Sequence, residues 1–302
     1  MKGVAAAALA GAVAVPLLRK RHRIPAAVTT AAVAAGPPAL AVLRPRSRAR
    51  DAGLYAMQMW AFVMAHELPY DDPERLEKRL RVKYPIRVDR LLGGGRLPNV
   101  RLQKALAGLG RANAVDRTLS WVHWVWFFEP HLALLWILIR HPDHFPRSAR
   151  QMSAVYDLGC TGYFAVPTAP PWWASEQGHT DEKVRRIMVE VGEEQWGRAW
   201  ETLYDSLGGN PWAAMPSLHF ATSVMAALLL AEAGPAEGAA GWGYAAALGF
   251  ALVYLGEHYV LDLIAGAAIV AAVRRGEPLV EPLAQAVSRG LQRLERIANE
   301  QI

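Results

Sequence analysis

One cysteine, Cys160, stands among 302 residues. A lone thiol excludes an internal disulfide and any metal site made of several thiolates. It lies in an apolar stretch and reads as inert packing. No internal repeat, heptad or low-complexity tract is present, and the missing repeat argues against a transporter assembled from duplicated halves. Charge is sparse as well: 20% of residues are charged against 53% hydrophobic, and mean hydropathy is positive. These values move the reading away from one or two soluble domains, towards several membrane spans joined by polar loops. The 11 tryptophans suit membrane interfaces better than a soluble core.

The net charge is +6, with basic clusters at 19–23 and 44–50. Because these runs flank apolar segments, they read as membrane anchors and not as a nucleic-acid surface. Apolar stretches fall near 3–18, 25–43, 52–66, 118–139, 151–168, 215–233, 238–256 and 259–274. The first has a positive residue before it, as a signal peptide does, yet the stronger basic run follows it, so it reads as an uncleaved membrane segment. Residues 1–67 are thus N-terminal membrane segments. Segment 68–115 alternates apolar and basic residues with Gly and Pro, as short amphipathic pieces at a lipid surface or a solvated loop would. A membrane core over 116–275 and a cytoplasmic tail over 276–302 complete the division.

Loop charge orients the chain. Segment 171–214 holds Lys183, Arg185, Arg186 and Arg198 against eight acidic residues, whereas the tail opens with Arg274 and Arg275. A cytoplasmic tail follows, and alternation of the last three spans then brings His219, His258 and Asp262 to the outer face.

Those three residues carry the chemistry. His258 and Asp262 are spaced i, i+4, so on a helix they share a face and the carboxylate reaches the ring. Such a pairing fixes the tautomer and favours a basic or nucleophilic imidazole. His219 follows Ala214-Met-Pro-Ser-Leu218, where Pro216 suits a first helical turn and Ser217 a cap whose neighbouring amides hold an anion. Two readings are open to the trio: phosphoryl transfer with one histidine attacking and one protonating, or three ligands of a zinc ion.

The segments Ala-Met-Pro-Ser-Leu-His-Phe-Ala (214–221) and Tyr-Leu-Gly-Glu-His-Tyr-Val-Leu-Asp-Leu-Ile-Ala-Gly (254–266) resemble two signature motifs of the type 2 phosphatidic acid phosphatase superfamily. Pro-Ser-Leu-His, with Val-Pro-Thr-Ala-Pro-Pro-Trp-Trp at 166–173, is similar to the branch containing inositol phosphorylceramide synthase. The resemblance covers 116–275. It implies an all-α polytopic integral membrane protein with a six-helix core, a metal-independent reaction without a cofactor, and a membrane lipid as substrate, with water or an alcohol or polyol as acceptor. It further implies His258 as nucleophile, Asp262 as its orienting group, His219 as acid and base, and Ser217 among the phosphate-holding groups. High Ala, Arg and Gly content points to a bacterial plasma membrane with the site on its extracytoplasmic face.

The chain departs from the pattern at Leu252, where the family has an arginine, and no clear first motif precedes it. Lys183, Arg185, Arg186 and Arg198 are the candidate replacements, each with the plainer alternative of a solvated charge. His123, Glu129 and His131 border the stretch containing Trp121, Trp124 and Trp126, and His123 is a candidate for the substrate pocket. Trp172 and Trp173 precede the acidic segment 174–205 and Trp212 follows it; they anchor at the interface or line the headgroup pocket. The rival from another class is a lipid-binding or transporter-like membrane protein without catalysis.

Overall fold

The computed structural model describes residues 1–200, 202 and 210–300. Part of the acidic segment 174–205, positions 201 and 203–205, lies outside the described residues. Among those described there is no β-strand, and the chain separates into two compact units, Met1–Leu68 with Leu135–Asp157 and Ala272–Ile302, and Pro69–Leu134 with Leu158–Ala271.

The first unit opens with α1 (Lys2–His22), α2 (Ala26–Ala34), α3 (Gly36–Leu43) and α4 (Arg48–Glu67). Arg23 ends α1 in a left-handed conformation, and Pro25 precedes α2. Alanine and glycine dominate the first three helices, and small side chains let backbones approach closely. Ala12, Ala39 and Ala41 are buried there. The basic run is not all solvated: Arg19 is buried and donates to Glu67 at 2.9 Å, tying the end of α1 to the end of α4. Arg50 is likewise buried, donating to the carbonyls of Ala41 and Arg44 and to Glu295. Arg147 forms a forked pair with Glu277 at 2.6 and 2.7 Å.

By length and composition α1 and the stretch Ala26–Leu43 are each able to cross a membrane. The expected single stretch at 118–139 is instead two helices, α8 (Ala114–Val125) and α9 (Glu129–Arg140), bent by 51° and apolar enough to span as a pair. Pro130 sits in the first turn of α9, where its missing N–H is tolerated, but it would break a helix running through from α8. After α10 (Phe145–Ala165), the later helices are α13 (Leu218–Ala233), α14 (Pro235–Tyr254) and α15 (Val260–Glu300). The last of these continues through the segment expected to be a tail.

The second unit begins at Pro69 and fills the rest of segment 68–115 with short helices, α5 (Pro73–Glu77), α6 (Lys83–Leu92) and α7 (Pro98–Leu106), and adds α11 (Pro171–Glu176) and α12 (Ile187–Trp196). α13 and α14 pack together, and α14 also meets α7 and α8. Asn99 and Gln103, one turn apart on α7, donate to the carbonyls of Val253 and Tyr254 and so satisfy the C-terminal end of α14, whose carbonyls have no helical partners. Thr168 bridges Arg81 on one side and Ala213 on the other, stitching the Pro-Pro-Trp-Trp segment to the loop that enters α13.

Candidate active site

The site is built where two helices begin. Ser217 caps α13: its Oγ accepts the amide of Phe220 at 3.3 Å. Pro216, expected inside the first turn, stands before the cap, because the capping residue must keep an extended backbone and the helix starts at Leu218. His219 therefore lies in the first turn.

At the second helix the expectation also needs correction. His258 and Asp262 do not sit one above the other on a helix, since α15 begins only at Val260. Asp262 instead folds back over the helix start, where its Oδ2 accepts the amide of Tyr259 at 2.8 Å and meets His258 Nδ1 at 3.2 Å. Acidic groups are favoured in a first turn because the unpaired amides there carry partial positive charge. Gly256, at φ 84°, makes the turn that presents Glu257 and His258; a Cβ there would meet the carbonyl oxygen of Arg185 at 2.4 Å.

The two halves meet directly. His219 Nδ1 lies 3.2 Å from His258 Nε2, so carboxylate, imidazole and imidazole form one relay. Asp262 and His258 are buried, at 0% and 4% exposure, and His219 is half-buried. A carboxylate at Asp262 favours the His258 tautomer protonated on Nδ1, the one that keeps the Nε2 lone pair towards His219.

The four candidate cations separate. Arg186 forms a two-armed pair with Glu257 at 3.0 and 3.3 Å, and its guanidinium lies 3.9 Å from the ring centroid of Trp172. Burial pushes the Glu257 carboxyl up, but Arg186 outweighs that effect and holds it below the ordinary carboxylate value. Arg185 is engaged by Glu190 and by the Gly108 carbonyl. Lys183 is exposed, and with Trp172, Arg185 and Arg186 it lines a cleft of about 650 Å³. Arg198 is exposed and is not among the residues lining that cleft.

Of the aromatic candidates, Trp173 meets Trp212 edge to face at 6.2 Å. His123 comes to the centre: its ring centroid is 5.0 Å from that of His219. Glu129 accepts from Ser223 at 3.3 Å.

Sequence reasoning missed four contributors. Trp126, read only as an interface residue, packs its ring 4.0 Å from His219 and donates to Thr222. Glu257 was in plain view inside the motif. Asn99 donates to the His258 carbonyl at 3.0 Å, and Asp89 accepts the amides of Val260 and Leu261 at 2.8 and 3.0 Å, capping α15 from outside the helix. The i, i+4 amides of Asn99 and Gln103 were the one readable signal for this support. Among the described residues, no group of three or more His, Cys, Asp or Glu is arranged to hold a metal ion.

Fold and site define a helical membrane protein with paired imidazoles and a carboxylate at two apposed helix starts. The chain belongs to the PAP2 superfamily, whose model matches residues 91–274. This is a helical membrane fold of generally phosphatase-type enzymes. The match begins upstream of 116, and so takes in α7 with Asn99 and Gln103. No curated protein and no solved structure matches the chain.

Proposed function

We propose that this chain cleaves or transfers the phosphoryl headgroup of a membrane lipid through a phosphorylated His258. The observation that carries the reading is the Asp262–His258–His219 relay, with both histidine contacts at 3.2 Å. His258 Nε2 attacks phosphorus while the bond from phosphorus to the lipid oxygen breaks, and His219 gives that oxygen its proton. In the second half, a hydroxyl attacks the phosphorus, His219 takes its proton, and the N–P bond breaks. Asp262 retains the proton on Nδ1 throughout and stabilises the charged ring.

Arg186 is the cation favoured for the phosphoryl oxygens, since Leu252 stands where the resemblance implies arginine and Arg186 is held by Trp172 and by Glu257, the residue before His258. Lys183 belongs to the adjoining cleft, while Ser217 shapes the site through its cap. Trp172, Trp173 and Trp212 border the headgroup side. Arg274, Arg275, Arg289, Arg293 and Arg296, along the C-terminal part of α15, favour a cytoplasmic location for that part and an extracytoplasmic site. Similarity at 166–173 and 214–221 to the inositol phosphorylceramide synthase branch favours a polyol acceptor alongside water.

The test is turnover of a phospholipid panel by purified protein in EDTA, wild type against His258→Ala, with and without inositol. Free phosphate, or a new phospholipid, formed in EDTA by wild type alone supports the reading and tells hydrolysis from transfer. Activity that survives His258→Ala, or that vanishes in EDTA, overturns it.

A further inference from the structure

Phosphoryl transfer spreads negative charge over three equatorial oxygens, and each needs a donor. In the reading above Arg186 serves these oxygens, and other polar groups around the relay are already engaged. His258 uses both ring nitrogens, one on Asp262 and one on His219. The Ser217 Oγ accepts the Phe220 amide in capping α13, and Arg185 holds Glu190.

His123 is one that is not engaged. It lies in the last turn of α8 with 4% exposure, and among the described residues its Nδ1 has no hydrogen-bond partner. Buried polar atoms are paired in the great majority of proteins, so an orphan beside reacting groups marks a place for a ligand atom. The location is specific. The ring packs against His219 at a tilt of 30°, with 5.0 Å between centroids, and His219 is in turn 5.3 Å from His258. His123 is also within electrostatic reach of Glu257, His258 and Arg186. A residue kept for packing alone would be served as well by leucine, without an unmet nitrogen in the interior.

We infer that His123 is a third imidazole of the site, whose Nδ1–H donates to a non-bridging oxygen of the bound phosphoryl group. The inference rests on the phosphoryl-transfer reading and assigns no proton transfer to His123. It binds an oxygen, leaving attack to His258 and proton transfer to His219.

The experiment is calorimetric binding of orthovanadate, a phosphoryl mimic, to the full chain in detergent, for wild type, His123→Leu, His123→Asn and His258→Ala, with thermal melting of each. An asparagine amide nitrogen occupies nearly the position of Nδ1, whereas leucine keeps only the volume. Loss of one charge-assisted hydrogen bond predicts affinity lowered about tenfold or more in His123→Leu and restored to within about threefold in His123→Asn. Orthovanadate bound by His123→Leu as by wild type overturns the inference. So does equal weakening in both variants with equally lowered melting, which is the mark of a structural role. Failure of the underlying reading is separate, because it is seen as turnover and orthovanadate binding untouched in His258→Ala.

Discussion

The backbone amide of Ser217 donates to the backbone carbonyl of Asp262 at 2.9 Å. The residue that caps the helix bearing His219 is thus bonded to the residue that orients His258. One turn further along α15, Gly266 keeps this approach open: a Cβ there would lie 2.6 Å from the Ser217 carbonyl oxygen, a backbone atom. The 3.2 Å contact between His219 and His258 depends on how closely these two helix starts approach.

Gly266→Ala is therefore expected to lower turnover although it alters no polar side chain. The methyl group forces the start of α13 away from α15, and a misplacement of about 1 Å between reacting groups costs roughly a hundredfold in rate. Turnover should fall at least tenfold, with a smaller effect on lipid binding. Wild-type kcat in this variant would show that the helix approach does not set the relay.

Asp89 supports the relay from a different helix. Burial pushes its carboxyl up, against the two amides of Val260 and Leu261 that hold it down. Removing a cap of this kind costs about 0.5–2 kcal/mol. Asp89→Ala should lower the melting midpoint and also kcat, because Asp262 lies in the turn that loses its cap. Asp89→Asn, which can still accept one amide, should fall between alanine and wild type. Melting and kcat measured across the three proteins check the order.

The Arg186–Glu257 pair predicts an acid limb in stability. The folded pKa of Glu257 lies below its ordinary value of 4.5, so the unfolded chain binds the proton more readily. The stabilisation is complete above 4.5 and is lost as pH falls through the lower folded value. Glu257→Gln should be less stable than wild type at pH 7, and the gap should narrow as pH drops below 4.5. A gap that stays constant down to pH 3 would assign the stabilisation to something other than this pair.

Much of the site was legible because its key residues are encoded locally. Ser217 reads as a cap, and it caps. His258 and Asp262 read as partners from their spacing, and they meet, though through a helix start and not a helix face. The bend between α8 and α9 was less legible, since hydropathy runs across Trp126–Phe128 without interruption and only Pro130 hints at the break. Four cations were equally eligible on sequence. Their environments divide them, because Arg186 has Glu257 and Trp172 within reach while Lys183 and Arg198 are exposed.

By itself, then, the sequence determined the helical membrane class, the identity of the histidine pair and its carboxylate, and the caps from which two helices start. Those properties depend on hydropathy, periodicity and hydrogen bonds within a few residues. Only the tertiary structure decided that Asp89 caps a helix 172 residues away, that Arg186 pairs with Glu257, and that His123 packs against His219. Contacts of that kind come from chain segments distant in sequence, whose approach is set by the packing of whole helices and leaves no local pattern to read.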